Sequence, residues 1–211
     1  MPRPRFLKLP PDKQHRILET AAVEFATRGY DTASLNRIIR AARISKGAAY
    51  YYFDDKADLF AAVVAYGWQE VLPKTETDIT RLTRRSFWPT LRRLADDFRR
   101  HAEARPWIMA FGMLIYGPPP STSAARIVEQ ELERARRWLG ALIAHGQKIG
   151  AVRRDLPAEL LLMMLSALIE ASDRWFVRHA ATIGEHKMEA LGSEILAMLE
   201  RIAAPQRKAA R

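Results

Sequence analysis

The chain has 211 residues, a net charge of +10 from 34 Lys and Arg against 24 Asp and Glu, and no cysteine. A hydrophobic content of 48% is enough to bury a core, which excludes extensive disorder. The absence of cysteine excludes disulfide scaffolds, thiolate metal sites and thiol catalysis, and the basic excess points to a polyanionic partner.

Strand signals are nearly absent and helical periodicity runs through most of the chain, which predicts an all-α protein. Residues 1–11 read as a Pro-rich, basic, flexible arm. Asp12 is an N-cap candidate for a first helix whose stripe is Ile17, Leu18, Ala21, Ala22 and Phe25, and Gly29 stands where such a helix ends. Ser34 opens a short helix to Ala42, Ser45 another to about Tyr52, and Lys56 a longer one to Pro73. Further helices are expected over residues 81–104, 106–116, 124–149, 157–180 and 187–203, each bounded by Pro, Gly or a polar cluster. Pro89 requires the first of these to kink or to start near Trp88. The expected domains are 12–56 and 57–211. No segment reads as a membrane span or an export signal, so a soluble cytoplasmic protein is expected.

Charge is uneven along the chain. Residues 1–56 hold 11 basic and 6 acidic residues, so a quarter of the length carries half the excess. Within it, residues 34–53 predict two short helices joined by a three-to-four-residue turn, the geometry of a helix-turn-helix. Leu35, Ile38, Ile39 and Ala42 form the inner face of the first helix, Ile44 plugs the turn, and Ala49, Tyr52 and Phe53 face inward from the second. That leaves Lys46, Gly47, Ala48, Tyr50 and Tyr51 outside. Lys46 sits in the first turn, where side chains of a recognition helix meet base edges, and the small Gly47 and Ala48 let the backbone approach closely. Ser34 and Ser45 present helix N-termini to phosphates, Lys56 offers a point charge, and Arg3 and Arg5 are candidates for an adjacent minor groove.

These residues resemble the TetR family of bacterial transcriptional regulators. The resemblance rests on Ile17, Ala21, Ala22, Phe25 and Gly29, then Ser34 and Ile38, then Ile44-Ser45-Lys46-Gly47, Tyr50, Phe53, Lys56 and Leu59, and it covers about residues 13–63. It implies that Tyr50 and Lys56 hold phosphates and that Lys46, Gly47 and Tyr51 face bases. The chain departs from the family pattern at four places. Ala48 replaces a hydroxyl residue, Ala49 a Leu, Ile39 a small Ala, and Arg43 the usual turn Gly. Arg43 must then adopt a left-handed conformation or the turn must differ. Arg43 also adds a cation that offsets the lost hydroxyl contact.

A palindrome reader must dimerise so that two recognition helices lie ~34–36 Å apart. The apolar helices 157–180 and 187–203 are the expected interface, through Leu161, Met164, Leu168, Leu191, Ile195 and Met198. The middle helices carry an aromatic and methionine load that suits core packing or a small-molecule pocket. The resemblance implies an effector cavity there, with Phe98, His101, Trp107, Phe111, Met113, Trp138, Glu170 and Trp175 as candidates for a largely apolar ligand. The Arg-rich stretch 81–105 is expected to be a solvated or salt-bridged face. The five histidines are scattered, no phosphate loop or nucleophile motif is present, and no metal or cofactor is expected. The predicted function is a homodimeric, ligand-responsive repressor of a palindromic operator in double-stranded DNA. The alternatives are a ligand-independent regulator or activator, a sequence-neutral DNA packager, or a helical enzyme.

Overall fold

The computed structural model describes residues 2–71, 78–117, 122–179 and 182–206. In chain order they form α1 (Pro4–Leu7), α2 (Pro11–Thr32), α3 (Leu35–Ala41), α4 (Lys46–Tyr52), α5 (Lys56–Val71), a 3-10 turn (Ile79–Arg81), α6 (Phe87–Ala104), α7 (Trp107–Tyr116), α8 (Thr122–Lys148), α9 (Ala158–His179) and α10 (Glu185–Ala203). No strand occurs among the described residues, so the all-α reading holds.

The helix ends follow local chemistry. Pro11 takes the first position of α2, where a fixed φ fits and the missing N–H costs nothing, so the helix begins one residue before Asp12. At Gly29 the backbone leaves helical geometry with φ 74° and ψ 158°, a region open essentially to glycine, and a last turn carries on to Thr32. Pro89 lies in the first turn of α6, which starts at Phe87 after reciprocal hydrogen bonds between Thr83 and Ser86. The expected ends at Pro73 and Ala180, and the break at Pro118–Pro120 and Ser121, lie outside the described residues.

The chain divides into two compact units, one within residues 1–72 and 105–132, the other within 73–104 and 133–211. The expected boundary at 56/57 falls within the first of these units. Helix α2 packs against α3 and also against α5 and α7, so its apolar stripe needs partners well beyond the first three helices. Leu59, Phe60, Val63 and Val64 of α5 are buried, and Phe60 meets Phe25 edge-on at 5.1 Å. Gly67 allows α5 to approach α7 closely, since a Cβ there would stand 2.1 Å from the Phe111 ring. At the same end, the Arg105 guanidinium bonds the buried Glu70 carboxylate at 2.9 Å, and Tyr66 donates to Glu19 at 3.2 Å. Burial and the nearby charges of Glu19 and Glu70 push the Tyr66 phenol far above its ordinary range, so it remains a donor.

The second unit packs α6, α8, α9 and α10 around Phe87, Leu142, Ile143, Val152, Leu161 and Leu165. The Trp88 indole N–H donates to the Ala151 carbonyl at 3.0 Å. The arginine-rich stretch is laced with ion pairs, including Arg92–Glu200 and Arg99–Glu103, as a salt-bridged face requires.

Candidate nucleic-acid interface

Helix α3 ends in a Schellman motif. Ile44 N–H bonds the Ile39 carbonyl and Arg43 N–H the Arg40 carbonyl, both at 3.1 Å. Arg43 occupies the position usually filled by glycine and takes φ 55°, so the left-handed alternative is the one realised. Ser45 then caps α4, its hydroxyl accepting from Ala48 N–H at 3.1 Å. Ile38, Ile39, Ala42, Ala49, Tyr52 and Phe53 are all buried, while Ile44 is half-buried. Helical spacing leaves Lys46, Gly47, Tyr50 and Tyr51 outside, with the two tyrosines 48% and 49% exposed. Beyond its chain neighbours and the backbone of its own helix, nothing lies within 4 Å of where a Gly47 Cβ would be, so the helix is bare on that side. Ala48 is half-buried.

Two predicted phosphate donors are engaged within the fold. The Ser34 backbone N–H bonds Glu24 at 2.9 Å, and Glu24 also takes the Arg37 guanidinium at 2.7 Å, which ties α3 to α2. The Lys56 ammonium donates to the carbonyls of Asp31 and Ala33 at 2.9 and 3.4 Å and sits 4.7 Å above the Tyr30 ring. It holds the end of α2 in place, a task that sequence spacing did not reveal.

Residues 4–7 of the arm form a short helix that packs on the head. Phe6 is 2% exposed and packs on Tyr52 and Phe53, with ring centroids 6.0 and 4.9 Å apart. Arg3 N–H bonds the Tyr52 carbonyl at 3.0 Å, and its guanidinium bonds the Tyr50 carbonyl at 3.1 Å and pairs with Asp54. The Arg5 guanidinium carbon lies 4.2 Å above the Tyr51 ring. In the protein alone both arginines rest against α4 and the residues just after it. The missed signal was Phe6, an aromatic residue in an otherwise basic, Pro-rich stretch.

The pocket candidates are distributed over both units. In the first unit Trp107 and Phe111 are buried, with Trp107 stacked on Tyr66 at 5.0 Å, while Met113 is exposed. In the second unit Phe98 and Trp175 are exposed, His101 is half-buried, and Trp138 packs against the core. Glu170, another pocket candidate, is paired with Arg136 at 2.8 Å. Of the interface candidates, Leu161 is fully buried in its own unit, which corrects its assignment. Residues 160–165 are apolar on every side, and the inward direction is set by packing with Leu165 four residues on. Met164 and Met198 are exposed, and Leu168 is half-buried. Leu191 and Ile195 line a shallow groove of about 340 Å³ with Ala171, Ser172 and Trp175.

A capped, solvent-facing second helix packed through a tight turn on the first has the geometry of a helix-turn-helix. Residues 17–63 match the model of bacterial regulatory proteins of the tetR family. The HTH-type transcriptional repressor SCO4008 of Streptomyces coelicolor is 30% identical over 153 residues, covering 72% of this chain and 74% of that protein. The HTH-type transcriptional repressor DhaR of a Mycobacterium species is 29% identical over 162 residues, covering 74% and 78%. Among solved structures, the fatty acid degradation regulator FadR of Bacillus halodurans superposes with a TM-score of 0.72 at 19% identity, covering 91% of this chain and 96% of that one. FadR of Bacillus subtilis in complex with stearoyl-CoA gives 0.70 at 17% identity, covering 89% and 97%. The chain belongs to the TetR family: it is a DNA-binding transcriptional regulator and not an enzyme.

Proposed function

We propose that this protein is a homodimeric repressor that reads a palindromic operator through α4 and leaves it when a small, largely apolar effector binds. The observation that carries the DNA half is the exposed face of Lys46, Gly47, Tyr50 and Tyr51 on a helix whose other face is buried. Lys46 reaches base edges beside the bare backbone at Gly47 and suits guanine acceptors. Tyr50, Ser45 and Ser34 offer hydroxyls to flanking phosphates, and Arg43 adds a cation at the turn. Lys56 acts by holding the end of α2.

The effector half rests on the apolar middle helices and on the stearoyl-CoA complex of the Bacillus subtilis neighbour, which supplies a first probe. Selection from a random duplex library is expected to enrich one inverted repeat. Failure to enrich any sequence overturns operator reading. The selected duplex is then titrated with stearoyl-CoA and smaller apolar compounds. Unchanged DNA affinity at every concentration across that panel overturns release by an apolar effector while leaving operator reading intact.

A further inference from the structure

We propose that residues 3–7 are a fixed part of the DNA-reading head, in which Arg5 and Tyr51 act as one composite contact for a backbone phosphate. The inference rests on the reading of α4 as the duplex-reading helix.

Helix α4 is seven residues long and has no glycine to close its C-terminal end. Its last carbonyls therefore need partners from elsewhere. The arm supplies them through the Arg3 backbone at Tyr52 and the Arg3 guanidinium at Tyr50, placing a cation at the negative end of the helix. Phe6 seals the junction against Tyr52 and Phe53. With Ser45 capping one end and Arg3 the other, the short helix is held at both termini.

Arg5 follows from that anchoring. It lies between the anchored Arg3 and Phe6, and it is exposed. Its guanidinium covers the ring of Tyr51, a residue on the outward face of α4. Stacking on a ring face leaves the N–H edges of a guanidinium directed outward in its plane, the arrangement that grips phosphate oxygens in pairs. Tyr51 belongs to the C-terminal half of α4, whereas base edges are met by the N-terminal residues of a recognition helix. A ligand at the Arg5–Tyr51 pair is accordingly the flanking sugar–phosphate backbone, which positions the protein without reading sequence.

The test uses the full chain, the selected operator duplex and a random-sequence duplex of equal length, each titrated at several salt concentrations. Arg5→Gln is expected to weaken both duplexes by a similar factor, roughly tenfold. It is expected to lower the slope of log affinity against log salt by about 1. Arg5→Lys restores the slope but only part of the affinity, because an ammonium grips as a point charge. Both substitutions leave the melting temperature unchanged, since the Arg5 head is outside the core. Phe6→Ala, if it folds, reproduces the DNA defect by freeing the segment. Arg5→Gln with unchanged affinity and slope overturns the proposal, as does a loss confined to A·T-rich flanks, which marks a minor-groove contact instead. A wild-type protein that prefers no duplex sequence overturns the reading of α4 itself, and this proposal with it.

Discussion

Arg43 is the residue at which local and functional demands conflict. Its φ of 55° costs an L-residue about 1 kcal/mol relative to glycine, and nothing in the turn requires its side chain. Arg43→Gly is expected to stabilise the fold by roughly 0.5–1 kcal/mol, part of the relief being lost to glycine's freer unfolded chain. In a protein of this size that raises the melting temperature by about 1–4 °C. If Arg43 earns its place by holding a phosphate, the same variant binds the selected duplex less tightly and with a salt slope lower by about 1. A more stable variant with an unchanged slope assigns Arg43 no electrostatic role. Glu24 presents the complementary case of a residue whose charge serves the fold. Burial raises its carboxyl, but the Ser34 N–H, the Arg37 hydrogen bond and charge, and the Arg28 charge outweigh that and hold it below its ordinary value. A depressed folded value means the stabilisation is present above the ordinary carboxylate range and disappears as pH falls through the folded value. Glu24→Gln is therefore expected to cost roughly 1–2 kcal/mol at neutral pH and progressively less in acid. Urea midpoints measured from pH 7 downward check the sign, and a cost that grows in acid contradicts it.

Between elements, the informative contacts are those with no fixed sequence spacing. The helices themselves were legible because Pro, Gly and Ser mark their ends, and the inner face of α4 was legible because Ala49, Tyr52 and Phe53 recur at helical intervals. The outward set Lys46, Gly47, Tyr50 and Tyr51 follows from the same periodicity. The Arg105–Glu70 and Arg136–Glu170 pairs were not legible, since partners more than thirty residues apart are chosen by packing alone. The docking of α1 on α4 was hidden for the same reason, with Phe6 separated from Phe53 by most of the head. Arg105–Glu70 yields the sharpest consequence. The Glu70 side chain is 4% exposed and that of Arg105 35%, so the cost of breaking the pair lies below that of a fully buried one. Arg105→Met is expected to destabilise by roughly 2–3 kcal/mol because it takes the guanidinium away from a buried carboxylate. Adding Glu70→Leu is expected to recover most of that loss in the same denaturation experiment. A double variant no better than the single one shows that the charge of Glu70 is not what the loss reflects.

For the molecule as a whole, the net charge of +10 resolves into regions with separate work. The first 56 residues contribute +5 around the reading head, and the stretch 81–105 spends much of its arginine on ion pairs such as Arg92–Glu200. The described helices include none long and apolar enough to cross a membrane, and α9 and α10 carry exposed apolar residues such as Met163, Met164 and Met198. Under the proposed reading of a palindromic operator, a two-fold site calls for a two-fold protein whose interface is self-complementary. The same helix carries inward and outward apolar residues that sequence periodicity did not separate. Leu161 is fully buried, while Met163 is 65% exposed and Met164 stands beside it on the outer surface. Their substitutions therefore separate folding from assembly. Leu161→Glu is expected to lose the folded state, because a carboxylate is driven into the core. Met164→Glu is expected to keep its helical signal and melting transition but to sediment as a monomer at micromolar concentration, as like charges meet across the axis. That monomer keeps its salt-dependent affinity for random duplex and loses the preference for the inverted repeat, which depends on two heads acting together. A Met164→Glu protein that remains dimeric and still prefers the inverted repeat removes this surface from the interface and sends the two-fold contact to another face.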